Sequence, residues 1–299
     1  MKKFTVYHIE KDQVQMTIDI YLKQVLKYSG RKLQKLTRQK GILLNGKPTF
    51  LQKSLKPGDV LSIKQLEDNS YGVMPEAGLV DILYEDKYML VLNKPPYQLV
   101  HPSGQTANGT LANYLAHDLQ QRNIMAAIRP LHRLDRNTSG CIVFAKDAQS
   151  QNLLEQQLKA KTIERTYMAL VRGVIESESG RIDAPIGAHP SRANRRAVRE
   201  NGDAAITDYK TIARYEDASL LELKLLTGRT HQIRVHLAHI GHPILGDGMY
   251  GTRSRVIDRQ ALHAVSIAFM ELGKQKKMRV EAPLPKDFQE AMLFFAGEE

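Results

Sequence analysis

The sequence predicts an α+β protein in two units: a small αβ domain over residues 1–70, a linker at 71–80, and a large domain over 81–299 whose mixed, largely antiparallel sheet is flanked by helices. Three observations predict this. The chain has 299 residues, about twice a common domain length, so one core is not the default. Its β-rich runs, YMLVLNKP, GCIVFAK, TYMALVRG and SLLELKLLTG, are separated by helical patterns without a steady βαβ rhythm. Periodicity lapses across 67–80, EDNSYGVMPEAGLV, where Gly, Pro and polar residues gather.

In the first unit Ile18, Tyr21, Leu22 and Val25 recur at helical spacing, and Leu33 and Leu36 resume the stripe after Gly30, which predicts two short helices. ILLN with its Asn45-Gly46 turn, and VLSIK behind Pro57-Gly58-Asp59, predict short strands. In the second unit Thr110 is placed to cap LANYLAHDLQ, Asp147 to cap AQSQNLLEQQLKA, and Thr230 to cap HQIRVHLAHI, which Gly241 ends. Leu221, Leu223 and Leu225 fall on one face of their strand.

Composition narrows the function. Hydrophobic residues at 42% and charged residues at 25% are ordinary for a folded chain and exclude low-complexity readings. A single cysteine, Cys141, excludes an intramolecular disulfide framework and a multi-thiolate zinc site, and suits a reducing compartment. No apolar run approaches the roughly 18 residues of a membrane span, and MKKFTVYHIEKDQ has no signal-peptide stretch, so the cytoplasm is expected. The net charge is +11, and residues 1–70 carry +8 of it, with 14 Lys and Arg against 6 Asp and Glu. So local an excess points to a polyanion, nucleic acid first.

Three segments set polar and charged residues beside apolar strands: 131–140 LHRLDRNTSG, 164–173 ERTYMALVRG and 226–236 LTGRTHQIRVH. Taken alone, Asp135 sits in a polar turn before CIVFAK, where an Asp more often binds local amides than does chemistry. His231, His236, His239 and His242 lie close together, but their spacing fits no metal motif, and Gly241 and Pro243 end the helix before His242. Cys141 opens an apolar strand and reads as a small buried thiol. Four arginines in 192–199, RANRRAVR, read as a loop facing either a phosphate backbone or plain solvent. No nucleotide-cofactor fingerprint is present.

The first unit, with LNGK and KPGD, resembles the S4 RNA-binding module, which would turn Arg31, Lys32, Lys35, Arg38 and Lys40 toward RNA. The three segments together resemble the RluA/RluD family of RNA pseudouridine synthases. HRLDRNTSG matches that family's central motif without a gap, with LNKPPYQLVHPSG before it and GHPILGDGMYG and ALHA after it, in the family's order across residues 80–285. Cys141 stands where the family usually has an aliphatic residue.

The resemblance implies an enzyme that converts uridine to pseudouridine in ribosomal or transfer RNA, without cofactor, metal or obligate protein partner. It implies Asp135 as the nucleophile, Arg229 as the cation paired with it, and Tyr167 as the pocket tyrosine against the base and a candidate for the C5 proton. It implies Arg133 as the residue that fills the space left by the extruded nucleotide. The chemistry is consistent: an electron-poor sugar carbon calls for a carboxylate, and a carboxylate in a partly dry pocket calls for a cation. Two other classes remain open, an RNA-binding or ribosome-assembly factor without turnover and a glycosidic hydrolase. For the hydrolase, Glu164 is the one other carboxylate in the three segments.

Overall fold

The first unit is built by local signals that agree with its small core. The computed structural model describes residues 4–10, 16–66, 68–274 and 276–297. Strand β1 (Phe4–His8) is followed by α1 (Ile18–Ile20), which continues as a π-helical turn, Tyr21–Val25, and by α2 (Gly30–Arg38). Thr17 and Ser29 cap the two helices, accepting from the Ile20 and Lys32 amides. Strands β2 (Ile42–Leu44), β3 (Lys47–Pro48) and β4 (Val60–Lys64) complete an antiparallel sheet ordered β1-β4-β2-β3. Asn45 and Gly46 both take positive φ, 52° and 77°, as a tight hairpin turn requires. Ile18, Leu22, Leu33, Leu36, Leu61 and Ile63 form this unit's own core.

Residues 68–80 are strapped onto the second unit. Asp68 forms a bidentate pair with Arg129 at 2.6 and 2.9 Å, and Tyr71 is buried in the large core. Further along, the Asn113 amide donates to the Met74 carbonyl at 2.8 Å, and Glu76 accepts from the Gly109 N–H at 2.6 Å. The polar residues that break the periodicity here thus satisfy backbone groups of their neighbours.

The second unit runs β5 (Ile82–Glu85), β6 (Met89–Lys94), α3 (Leu111–Gln121), β7 (Arg129–Pro130), β8 (Ser139–Ala145), α4 (Ala148–Lys159), β9 (Glu164–Arg172), β10 (Ser179–Asp183), β11 (Ile186–Ala188) and β12 (Arg196–Val198). It continues with β13 (Ile206–Arg214), β14 (Ala218–Leu225), α5 (Gln232–His239), β15 (Leu262–Met270), β16 (Lys277–Glu281) and α6 (Lys286–Ala296). The main sheet is ordered β10-β13-β14-β9-β15-β8-β6-β5, with β16 on β15 and β7 on β8. Among the described strands only β8 and β15 pair in parallel. The mixed, largely antiparallel sheet is the one predicted.

Both faces of the central strands are covered, which is why they read as unbroken apolar runs. In β6 and β8, Leu90, Leu92, Ile142 and Phe144 join the core under α3, α5 and α6. Met89, Val91, Cys141 and Val143 face the other way, toward Leu154 of α4 and Phe269. Truncating a fully buried member such as Leu92 to Ala costs about 2–5 kcal/mol. Thr110 and Asp147 cap α3 and α4 as their sequences predict. Thr230 does not cap α5: the cap position is His231, in a left-handed conformation without a side-chain cap bond. The arginine stretch 192–199 is not simply a loop, because Arg196–Val198 pairs with β11 as a two-stranded ribbon.

Candidate active site

Asp135 lies in the turn between β7 and β8, and two buried cations hold that turn by its carbonyls. Lys94, at the end of β6 and fully buried, donates from Nζ to Arg136 O at 3.0 Å and to Pro95 O and Gln98 O at 2.8 Å. Arg259, equally buried, donates from Nη1 to Asn137 O at 3.1 Å while its other nitrogens grip Asp287 at 2.6 and 2.9 Å. Burial, with Arg259 nearby, pushes the Lys94 ammonium down to about 7, and Asp135 opposes that shift. Three carbonyl acceptors fit an ammonium ion at this place. Directly after the turn, Gly140 takes φ 107°, and a Cβ there would lie 2.2 Å from Ala264 O, so only glycine lets β8 meet β15.

The cation paired with Asp135 is Arg234, from α5. Its Nη1 donates to Asp135 Oδ2 at 3.0 Å, while Nε and Nη2 grip Asp247 at 2.7 and 2.8 Å. The Arg234 side chain is 8% exposed, that of Asp247 1% and that of Asp135 25%, so the carboxylate that keeps contact with solvent is Asp135. Burial would lower the Arg234 pKa, but Asp247 and Asp135 raise it above its ordinary value, and the guanidinium stays charged. Gly246, at φ 75°, makes the turn that presents Asp247; a Cβ there would lie 2.1 Å from Arg259 O. On the Arg234–Asp247 side opens a cavity of 540 Å³ whose walls include Asn137, Arg195, Arg234, Asp247 and Arg253; Asp135 itself is not in its lining.

Arg229, the expected partner, is not at Asp135. It is half exposed, its Nε donates to Ala204 O at 3.1 Å, and its Nη1 lies 3.6 Å from Asp203. The local reason is the turn 227–232. The Gln232 side chain accepts from Thr227 Oγ1 at 2.7 Å and from the Arg229 amide at 3.0 Å, and donates to Ile206 O and Thr207 Oγ1. That arrangement sends Arg229 outward and turns the first turn of α5 inward. No sequence signal singled out Arg234: that positions 232–237 are all buried, so that a charge carried there must be paired, is known only from the fold.

Tyr167 of β9 is 4% exposed, and burial raises its phenol pKa, with Arg165 opposing and Asp135 adding to the shift. The neutral phenol is therefore its resting form. Its hydroxyl makes no hydrogen bond among the described residues. Arg133 is exposed and has no ion pair among the described residues, which leaves its guanidinium available. Glu164 lies outside the site, paired with Lys277 at 2.5 Å. His236 is satisfied in the core by Thr207 Oγ1 and Ala184 O, both at 2.9 Å. Burial pushes the Cys141 thiol up to about 12, so it is no nucleophile at neutral pH. In the first unit Arg31, Lys35 and Arg38 are exposed on α2. Lys32 is not: it is half-buried, its Nζ 3.5 Å from the centre of the Tyr28 ring.

A mixed sheet with a carboxylate and a buried arginine at its cleft defines a class that comparison identifies. The model of the RNA pseudouridylate synthase family matches residues 88–239. An uncharacterized RNA pseudouridine synthase of Bacillus subtilis, YhcT, is 41% identical over 270 residues, 90% of this chain and 89% of that one. Ribosomal large subunit pseudouridine synthase D of Xanthomonas campestris is 35% identical over 281 residues, 89% of this chain and 84% of the other. The solved structure of human RNA pseudouridylate synthase domain containing 1 superposes with a TM-score of 0.60 at 26% identity, covering 72% of this chain and 90% of that chain. The chain belongs to the RluA/RluD family of RNA pseudouridine synthases and is an isomerase acting on RNA. No helix among the described residues is long and apolar enough to cross a membrane.

Proposed function

We propose that this enzyme isomerises uridine in ribosomal RNA in the cytoplasm, with Asp135 as its nucleophile and no cofactor. The observation that carries the reading is the 3.0 Å pair between Asp135 and Arg234, itself locked by Asp247. In the reaction the bond from N1 to the sugar C1′ breaks, the base turns within the site, C5 bonds to C1′, and the proton leaving C5 is balanced by one gained at N1. Asp135, ionised beside a guanidinium that cannot lose its proton, stabilises or traps the electron-poor C1′.

Tyr167 packs against the base as a neutral phenol and serves as a stacking wall; burial disfavours the phenolate that a ground-state base would need. Arg133 enters the space that the extruded nucleotide leaves, where a planar cation can stack and meet phosphate. Residues 1–70 form an S4-like unit that holds RNA through Arg31, Lys35 and Arg38, with Lys32 buttressing Tyr28. Ribosomal RNA is favoured over transfer RNA by relatives named for the large ribosomal subunit.

The test is incubation with unmodified large-subunit ribosomal RNA and with unmodified transfer RNA, followed by mapping of alkali-resistant carbodiimide adducts and assay of free uracil. Site-specific adducts in the ribosomal RNA that disappear with Asp135→Asn, while RNA affinity persists, support the reading. Adducts formed by Asp135→Asn overturn the nucleophile. Adducts confined to transfer RNA overturn the substrate.

A further inference from the structure

His231 enters α5 from φ 58° and ψ 21°, a left-handed conformation that few non-glycine residues adopt. The conformation sets its ring between Asp135 and Tyr250. Nε2 lies 3.9 Å from Asp135 Oδ1, and Nδ1 lies 2.8 Å from the Tyr250 hydroxyl. That hydroxyl in turn accepts from the Arg196 N–H of the β11–β12 ribbon at 2.8 Å. A backbone N–H can only donate, and Nδ1 is the one acceptor within hydrogen-bond reach of the Tyr250 phenol among the described residues, so we point the phenol proton at Nδ1 and assign the imidazole's own proton to Nε2, facing the carboxylate. Tyr250 is fixed from its other side, with the Arg234 guanidinium 5.0 Å from its ring centre and the imidazole edge-on at 5.7 Å. Arg234 holds Oδ2 of Asp135, and the side of Oδ1 faces His231.

We propose that His231 is a positioning residue for Asp135, its Nε2–H donating to Oδ1 when RNA occupies the site, and that Tyr250 sets the tautomer that makes this possible. The inference rests on Asp135 being the nucleophile. A carboxylate held at one oxygen can still rotate about its own bonds; a second donor fixes its plane toward C1′. The 3.9 Å separation shortens to a hydrogen bond when the nucleoside displaces water, as catalytic contacts commonly do. The imidazole transfers no proton. The titratable and charged groups that face it are Asp135 from the β7–β8 turn, Arg234 from α5, Asp247 and Tyr250 from the segment after α5, and Arg196 from β12. Burial lowers its pKa, opposed by Asp135 and Asp247 and reinforced by Arg234 and Arg196, which keeps it neutral at neutral pH.

The experiment follows tritium release from a large-subunit ribosomal RNA transcript labelled at uridine C5, with the full-length chain, from about pH 5 to pH 8. Tyr250→Phe keeps the ring beside Arg234 and removes the hydroxyl, so the ring proton can move to Nδ1 and turn a lone pair toward Asp135. The expected result is a kcat lower by about tenfold from pH 8 down to about pH 6, where burial keeps the imidazole neutral, with KM little changed, a loss that shrinks toward about pH 5 as the imidazolium forms and carries a proton on both nitrogens. Wild type shows no such rise. His231→Asn, whose side chain tolerates the left-handed backbone, lowers kcat at every pH without acid recovery.

A Tyr250→Phe loss that is equal at all pH, confined to KM, or absent overturns the proposal, and this variant decides alone should His231→Asn not fold. Turnover by Asp135→Asn would instead remove the nucleophile on which the proposal stands. An inactive Asp135→Asn beside fully active Tyr250→Phe and His231→Asn overturns the role of His231 only.

Discussion

Asp247 touches no substrate in the proposed chemistry, yet its carboxylate holds the cation that holds Asp135. Its Oδ2 accepts from Arg234 Nε at 2.7 Å, while Oδ1 accepts from Arg234 Nη2 at 2.8 Å and from the Met249 and Tyr250 amides at 3.0 and 3.2 Å. In Asp247→Asn the single carbonyl oxygen takes the three-donor position, which sets the amide nitrogen against the Arg234 Nε–H, donor facing donor. Removing one partner of a buried ion pair costs about 3–5 kcal/mol. At 2–4 °C per kcal/mol for a domain of this size, Tm falls by about 6–20 °C. Losing one charge-assisted hydrogen bond from the guanidinium, worth about 1.5–3 kcal/mol, loosens its hold on Asp135 and lowers kcat roughly 10- to 100-fold. Differential scanning fluorimetry and tritium release at saturating RNA, read below the lowered Tm, measure the two effects separately. A variant that melts with wild type and turns over at the wild-type rate refutes the chain of support from Asp247 to Asp135.

Other outcomes follow from the same geometry. Arg234→Ala abolishes turnover, whereas Arg229→Ala, which removes only contacts to Ala204 and Asp203, leaves kcat within about threefold of wild type in the same assay. Lys94→Met strands three carbonyls and lowers stability by about 2–4 kcal/mol in urea titration; an unchanged midpoint would contradict its role as the anchor of the Asp135 turn. Burial depresses the fully buried His263 to about 4, so the unfolded chain takes up its proton first as pH falls through 6.5. The associated stability is present above pH 6.5 and is lost progressively down to about pH 4, to a total of about 3 kcal/mol. His263→Gln should show that much less acid destabilisation than wild type in melts across the same window. Replacing Arg31, Lys35 and Arg38 together by Ala should reduce the slope of log affinity against log salt by about 2, if each contacts one phosphate.

What could be read along the chain follows from how local the signals are. Thr110 and Asp147 cap their helices because a side-chain oxygen two or three residues from an amide needs nothing distant to meet it. The Asn45-Gly46 turn and the doubly apolar β6 and β8 are likewise written in neighbouring residues. The motif HRLDRNTSG marked the turn that carries Asp135. Thr230 misled because Gln232, reaching back to Thr227 and Arg229 and across to β13, reshapes the entry to α5 in a way no capping rule anticipates.

Fold class, the helices and strands with strong periodicity, the location of Asp135 and the basic first unit were determined by the sequence alone, since each depends on periodicity, composition or a contiguous motif. Only the tertiary structure decided which cation serves Asp135. Arg229 and Arg234 lie five positions apart on a segment about a hundred residues away, and the choice turns on the backbone at His231 and the rotation of α5. The burial of Lys94, Asp247 and Arg259 was equally hidden. A charged residue reads as a surface residue until the fold supplies the partners that make its burial tolerable.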